Sequence, residues 1–197
     1  VEFMAALMTS VMDNSGKVSE YILASKQMGI KLLPPDINEG YSQFSVSENA
    51  IRYGLSAIKN VGRSVIDSIE KERSMGGKFV SLEDFIERMA GKEVNKRTIE
   101  SLIKAGAFDS LEGTRKQFMQ VYAMMLDNVN QRKKNSMEGQ LTLFDFVEEE
   151  DKKEYSIQLR NVGEFPKGEM LSFEKEVLGI YVSGHPMEEY ETQWRAR

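Results

Sequence analysis

The sequence contains no cysteine and only one histidine among its 197 residues. The lack of cysteine excludes disulfides and thiolate zinc sites, and a single histidine argues against an imidazole-based metal cluster. No run approaches the roughly 20 apolar residues that a membrane helix needs. The N-terminus also lacks the basic-then-apolar pattern of a signal peptide. These absences predict a soluble, cytoplasmic protein, or a piece of one, with no membrane partner and no metal site.

Charge is plentiful but unevenly distributed along the chain. Charged residues make up 29% of the sequence and hydrophobic residues 41%, which is enough for one domain or two small ones. The net charge is −5, yet residues 52–134 carry 16 basic and 11 acidic side chains, whereas residues 145–197 carry 7 and 13. This asymmetry favours a middle segment that faces a polyanion. The alternative is that mixed charges only solvate the helices.

The first quarter of the chain predicts helices followed by a small β-structure. Apolar residues recur at helical spacing over residues 1–30, with a turn at 13–16 and Gly29 as the stop. The prolines of Leu33–Asp36 force an extended path. Apolar and polar residues then alternate in two short runs within residues 43–55, which predicts a β-hairpin.

Helical periodicity returns over residues 56–126 and predicts a mainly α fold. Ser81 and Asn95 are expected to start helices as capping residues. Short helices joined by short loops pack as hairpins. The predicted breaks between these helices lie at 59–62, 75–78, 90–93 and 104–113.

The last third of the chain alternates polar and apolar segments. Residues 127–139 are polar and indicate either a linker or a fraying helix end. Within residues 169–182, a helix is expected up to Gly179, and Ile180–Val182 are expected to begin a strand. The chain then stops soon after Gly184-His185-Pro186, which suggests a cut through a following domain.

The segment Ala57–Ile66 is typical of a helix-hairpin-helix motif, in which a tight loop joins two helices. The start of the second helix leaves backbone N–H groups unpaired, and those donors suit a phosphate oxygen. Such contacts position a protein on DNA without reading its sequence. The alternative is an ordinary turn between two helices. The predicted DNA-binding residues of this first hairpin are Lys59, Asn60, Val61, Gly62, Arg63 and Ser64.

A second, degenerate hairpin is predicted from Ile99 to Lys116. A glycine turn ends one helix, and basic residues open the next one. Two such turns on one face would hold successive phosphates, and the alternative is a pair of helices that only packs the core. The predicted DNA-binding residues here are Lys104, Ala105, Gly106, Ala107, Arg115 and Lys116.

A short apolar peptide, Gln140-Leu141-Thr142-Leu143-Phe144, stands between polar stretches. It is too short to form a core, so it must dock elsewhere. Burial of Leu143 and Phe144 contributes roughly 1.5–3 kcal/mol each, less the cost of ordering the segment. We therefore expect a weak, exchangeable contact with a partner. The alternative is an edge strand packed on its own protein.

No catalytic site is predicted. The sequence has no P-loop pattern and no cysteine nucleophile. A two-metal site needs clustered carboxylates on rigid elements, whereas the acidic residues are expected on solvated helix faces or in the tail. His185 lies in a Gly-His-Pro turn, where a structural role is expected.

Several segments together resemble a known family. They are Met4–Asp13, Gly29–Asn38, Tyr53–Gly62, Val94–Arg97, Leu102–Asp109 and Glu174–Pro186. In this order they resemble the alpha subunit of bacterial DNA polymerase III, the C-family replicative polymerase, along nearly the whole chain.

The resemblance implies an internal fragment of a longer polypeptide. Residues 1–20 would be the tail of the fingers domain and residues 21–135 a tandem helix-hairpin-helix domain that contacts template-primer duplex. Residues 136–150 would be a linker carrying Gln140–Phe144 as the peptide for the sliding clamp, the beta subunit. Residues 151–197 would lead into a truncated OB fold.

The resemblance places the catalytic aspartates and their Mg²⁺ in a palm domain outside this chain. The chain itself would then be non-catalytic and need no cofactor. It would bind the duplex backbone and tether the polymerase, with the rest of the replicase, to the clamp. One departure stands out, because Asn60 replaces a common loop glycine and its side chain could crowd a phosphate. Two alternatives stay open, namely an enzyme or nuclease subunit and a purely structural connector.

Overall fold

The computed structural model describes residues 1–137 and 159–186, and the fold in this part is mainly α, as predicted. Three short strands and one 3₁₀ helix (Leu55–Ala57) accompany the α-helices. The strands are β1 (Leu32–Leu33), β2 (Ser45–Ser47) and β3 (Ala50–Arg52). The helices are α1 (Glu2–Ser10), α2 (Ser15–Gln27), α3 (Arg63–Gly76), α4 (Leu82–Met89), α5 (Lys96–Ala105), α6 (Arg115–Met137) and α7 (Lys167–Leu178).

The helices α1 and α2 form an N-terminal hairpin. Asn14 caps α2, because its side-chain oxygen accepts a hydrogen bond from the Lys17 backbone N–H at 3.1 Å. The helices bury Met8 on one side and Ile22 on the other. Gly29 has a positive φ of 75° directly after α2, as a glycine stop requires. The two predicted helices and the stop are confirmed, whereas the turn lies at residues 11–14 and not at 13–16, because Ser15 and Gly16 already belong to α2.

The predicted β-hairpin forms from β2 and β3, which pair antiparallel. Its turn residues Glu48 and Asn49 both adopt positive φ, 47° and 65°, which matches the twist of a two-residue hairpin. The sequence did not predict that β1 pairs parallel to β3 in a three-stranded sheet. The proline-rich segment after β1 had indicated only an extended path.

The helices α4, α5 and α6 pack around a row of aromatic rings. The ring centroids of Phe79 and Phe85 lie 5.1 Å apart, and those of Phe85 and Phe108 lie 4.9 Å apart, both edge to face. Phe118 of α6 extends the row at 6.3 Å from Phe108. These rings bring α4, α5 and α6 into one core.

The predicted helix starts at Ser81 and Asn95 are confirmed. Ser81 Oγ accepts from the Asp84 backbone N–H at 3.0 Å, and Asn95 Oδ1 accepts from the Thr98 backbone N–H at 2.9 Å. The Asp84 carboxylate reaches back to the Val80 N–H at 3.1 Å. Asp84 thus caps the residue before Ser81, one position earlier than the Glu of an ordinary capping box would.

The structure decides between the two alternatives for residues 127–139 and shows that the expected strand after Gly179 was wrong. Residues 127–137 form the end of helix α6 and not a linker, where Val129 is buried and Lys133 donates to the Ala90 carbonyl at 2.7 Å. Ile180–Val182 is not a strand, because the backbone N–H groups of Val182 and Ser183 donate to Glu174 Oε2 at 2.8 and 3.0 Å. That carboxylate takes the place of a neighbouring strand.

The predicted domain limits after residues 20 and 135 both fall inside continuous helices, α2 and α6. The clamp peptide Gln140–Phe144 lies outside the described residues. No helix in residues 1–137 or 159–186 is long and apolar enough to span a lipid bilayer.

Candidate nucleic-acid interface

The first hairpin consists of the 3₁₀ helix, the loop Ile58–Gly62 and α3. Ile58 and Val61 anchor the loop from below, since their side chains are buried. The backbone N–H of Lys59 donates to the Val177 carbonyl of α7 at 3.0 Å. The loop is thus fixed from within, while Lys59, Asn60 and Gly62 are exposed.

Asn60 provides the left-handed residue of the turn, with φ of 65°. Asparagine tolerates this region better than most residues with a side chain. The Asn60 side-chain nitrogen donates to Ser101 Oγ at 3.0 Å, and the Asn60 backbone carbonyl accepts from Thr98 Oγ1 at 3.2 Å. The side chain that was expected to crowd a phosphate is therefore held against α5.

The start of α3 has unpaired donors. Among the described residues, the backbone N–H groups of Gly62, Arg63 and Ser64 have no hydrogen-bond acceptor, and Gly62 offers no side-chain cap. Three amides at a helix start, together with the helix dipole, favour an anion. Lys59 and Arg63 are exposed and form no ion pair within residues 1–137 and 159–186. This geometry suits a phosphate oxygen.

The second hairpin has a different character, because its turn is buried. Ala105 and Ala107 are buried completely, and Gly106 takes the left-handed cap position with φ of 78°. The Gly106 N–H donates to Ile103 O at 3.0 Å, and the Ala107 N–H donates to Leu102 O at 2.9 Å. These amides are satisfied within the helix end, so the turn has no donor left for a phosphate.

Arg115 is also committed to the protein interior. Its side chain is 2% exposed, and Glu174 beside it is 0% exposed. The guanidinium bonds to Asp109 Oδ2 at 2.6 Å and lies 3.4 Å from Glu174 Oε1. Burial acts to lower the pKa of Arg115, but hydrogen bonds and charge from Asp109 and Glu174 outweigh it and raise the pKa overall. The expected phosphate contact by Arg115 does not fit this burial.

The start of α6 is closed by the chain itself. Glu164 accepts from the Arg115 N–H at 2.9 Å through one oxygen and from the Lys116 N–H at 3.0 Å through the other. Thr114 Oγ1 also donates to the Gly163 carbonyl at 2.7 Å. These bonds hold residues 160–164, here called the strap, against the start of α6. A carboxylate thus occupies the place where a phosphate was expected.

The two remaining basic residues predicted for the second hairpin differ in exposure. Lys104 bridges Glu100 and Glu176, each at 2.9 Å, and its side chain is only 14% exposed. Lys116 is half-buried, with its ammonium 6.0 Å from the ring centre of Phe165. Of the six residues predicted here, only Lys116 has a basic group near the surface.

The structure brings forward two basic residues that the sequence analysis recognised only as part of a helix start. Lys96 and Arg97 open α5 and are exposed. They adjoin the first hairpin because Thr98, one residue on, bonds to the Asn60 carbonyl. Two adjacent basic residues directly after a cap were the only available signal in the sequence.

No metal-binding cluster is found in the part of the chain that the structure describes. No group of three or more His, Asp or Glu side chains there could hold a metal ion. Glu174 corrects one expectation, since this acid is buried in an ion pair and does not lie on a solvated helix face. The ring of His185 packs edge to face on Tyr181, with centroids 5.9 Å apart.

Residues 29–118 match the family model of the helix-hairpin-helix motif, so this part of the chain is a helix-hairpin-helix domain. The chain also matches DNA polymerase III subunit alpha from several bacteria. It is 44% identical to that of Borreliella burgdorferi over 188 residues, which cover 95% of this chain and 16% of the relative. It is 43% identical to that of Thermus aquaticus over 192 residues (96% and 15%) and 38% identical to that of Neisseria meningitidis serogroup B over 195 residues (98% and 17%).

Nearly the whole of this chain is therefore similar to a segment of the bacterial DNA polymerase III alpha subunit. It spans about one-sixth of the length of the curated relatives that it matches.

Proposed function

We propose that this chain is a non-catalytic part of a replicative DNA polymerase that holds the backbone of template-primer duplex through its first hairpin. The observation that carries the proposal is the set of three unpaired amides at Gly62–Ser64 beside the exposed side chains of Lys59 and Arg63. Donors of this kind bind phosphate oxygens of the DNA backbone whatever the base sequence is. Sequence-independent contact is what a polymerase needs as it advances along DNA.

The second part of the proposal is a tether to the sliding clamp through Gln140–Phe144. It is supported by the sequence of the peptide, which combines a glutamine with Leu143 and Phe144 in a polar setting. The chain would then act in the bacterial cytoplasm, at the replisome, with the rest of the polymerase as a partner. Mg²⁺ and the nucleotidyl-transfer chemistry would belong to a palm domain of the longer protein.

DNA binding is tested by fluorescence anisotropy with a labelled duplex at several salt concentrations. Lys59→Ala/Arg63→Ala should weaken binding and lower the dependence of log K on log salt by about one for each lost phosphate contact. Lys31→Ala/Lys71→Ala removes two exposed charges elsewhere and serves as the matched control. Equal loss in both double variants would show non-specific attraction and would exclude a hairpin site.

Clamp binding is tested by titrating the clamp with the chain and with its Leu143→Ala/Phe144→Ala variant. Loss of binding only in this variant would support the tether, whereas unchanged affinity would rule it out. Glu149→Ala/Glu150→Ala is the control, because it changes the same segment outside the peptide.

A structural connector is the second candidate, and the buried Arg115–Glu174 pair favours it. This pair fixes α7 and the chain after it to the second hairpin. In that case neither the DNA titration nor the clamp titration would show binding. Metal-dependent nucleotide incorporation or cleavage by the pure chain would instead support an enzymatic role.

A further inference from the structure

The two hairpins expected to hold DNA differ in what they leave open. The first hairpin exposes unpaired amides and two free cations among the described residues. In the second hairpin, the turn Ala105–Ala107 is buried, and Glu164 occupies the start of α6. A DNA backbone that follows the first hairpin therefore needs a different second contact.

A basic surface continues directly from the first hairpin to the start of α5. We call Lys59, Arg63, Lys96 and Arg97 the basic patch, and all four are exposed. Asn60 joins its two halves, through its carbonyl to Thr98 Oγ1 and its side chain to Ser101 Oγ. Ser64 of α3 also donates a hydrogen bond to the Glu93 carboxylate, two residues before the cap of α5.

The charges of the basic patch are available for a polyanion. Lys59, Arg63 and Arg97 form no ion pair within the described residues. Lys96 contacts Asp127 at 2.7 Å, but the side chains are 50% and 61% exposed, so water and salt screen this pair. A phosphate could compete with Asp127 for Lys96.

We propose that the duplex backbone crosses the basic patch, from the first hairpin to Lys96 and Arg97, and does not pass over the turn of the second hairpin. This inference rests on the proposed DNA-binding function and specifies its path. Charge complementarity selects a phosphate backbone as the occupant, since the patch offers four exposed cations and unpaired amide donors.

Glu93 gives the path a second, opposite signature. It is exposed and lies between the two halves of the patch, where its carboxylate opposes a phosphate. Glu93→Gln removes the charge and retains an oxygen that accepts the Ser64 hydrogen bond. If the backbone crosses here, this variant binds duplex DNA several-fold more tightly at low salt than the unmodified chain does.

The test compares single variants of the full 197-residue chain on one labelled duplex, with thermal unfolding to verify each fold. Arg97→Ala should weaken binding several-fold and lower the salt dependence by about one. Arg160 lies in the strap at the second hairpin, where its backbone carbonyl accepts a hydrogen bond from the Gln117 side chain at 2.8 Å. Arg160→Ala removes the same charge there and should leave both the affinity and its salt dependence unchanged. Lys116→Ala should behave like Arg160→Ala.

The outcomes separate the path from the function. If Arg160→Ala and Lys116→Ala weaken binding while Arg97→Ala does not, the backbone runs over the second hairpin and the proposed path is wrong. If only Lys59→Ala/Arg63→Ala weakens binding and Glu93→Gln has no effect, the first hairpin acts alone, which also overturns the path but keeps the proposed function. If none of these variants differs from the unmodified chain, the DNA-binding function itself fails.

Discussion

Asn60 donates a hydrogen bond from its side-chain amide to Ser101 Oγ at 3.0 Å, which ties the turn of the first hairpin to α5. The same residue holds the left-handed backbone conformation that the turn requires. Asn60 thus supplies both the left-handed backbone and a side-chain hydrogen bond, whereas a glycine in the loop would supply only the backbone conformation. The geometry of the first hairpin is consequently coupled to the packing of α5.

The double role of Asn60 predicts different effects for two small replacements. Asn60→Ala loses the hydrogen bond and places a β-carbon at positive φ, so we expect unfolding to become easier by about 1–3 kcal/mol. Asn60→Gly loses the bond but relieves the backbone, and should cost clearly less. Urea unfolding of both variants measures this difference. Equal stability of the alanine and glycine variants would contradict the assigned backbone role.

The buried pair of Arg115 and Glu174 predicts non-additive mutations. Removing one partner leaves an uncompensated charge in the interior, and such changes cost about 3–5 kcal/mol. Arg115→Met and Glu174→Gln should each destabilise strongly, while the double variant should be more stable than the sum of the two predicts. A double-mutant cycle on the free energy of unfolding measures this coupling. Simple additivity would show that the two side chains do not interact.

Replacing Gly106 by alanine should cause a steric clash in addition to backbone strain, and the same replacement at Gly91 measures the backbone strain alone. A β-carbon at Gly106 would lie 2.2 Å from Arg115 Nη2, whereas one at Gly91 would meet nothing within 4 Å. Both residues have positive φ, 78° and 80°. Gly91→Ala should therefore show only the backbone cost of roughly 1–2 kcal/mol, and Gly106→Ala should lose more. Thermal and urea unfolding would reveal equal losses if Arg115 moved away freely.

Glu72 predicts a defined contribution to acid sensitivity. The hydrogen bond from Lys92 is the largest cause, and together with the charge of Lys92 and contacts with Arg88 it outweighs burial and holds the pKa of the Glu72 carboxyl below its ordinary value of 4.5. A lowered folded-state pKa stabilises the protein above about pH 4.5, and this stability is lost as pH falls through the folded pKa. Glu72→Gln should therefore reduce the loss of stability on acidification. Parallel pH profiles of unfolding free energy for the two proteins would contradict this.

Much of the secondary structure was predictable because its signals are local. Asn14, Ser81 and Asn95 cap helices through side chains that reach only three residues ahead, so a short stretch of sequence contains the whole interaction. The β-hairpin also forms between neighbouring segments. The first hairpin was recognisable for the same reason, since its apolar anchors, turn and flanking cations lie within ten residues.

The tertiary structure alone decided which hairpin stays open. Arg115 and Glu174 are 59 positions apart, and Glu164 lies 49 positions from the N–H of Arg115 that it caps, so no local pattern could pair them. The parallel pairing of β1 with β3 and the hydrogen bond from Thr98 to the Asn60 backbone carbonyl also join segments that are distant in the sequence. A basic residue near a turn is equally able to face solvent or an internal carboxylate. Which of the two occurs depends on packing that brings distant acids near, and the attraction between paired charges is stronger in the low-dielectric interior than at the surface.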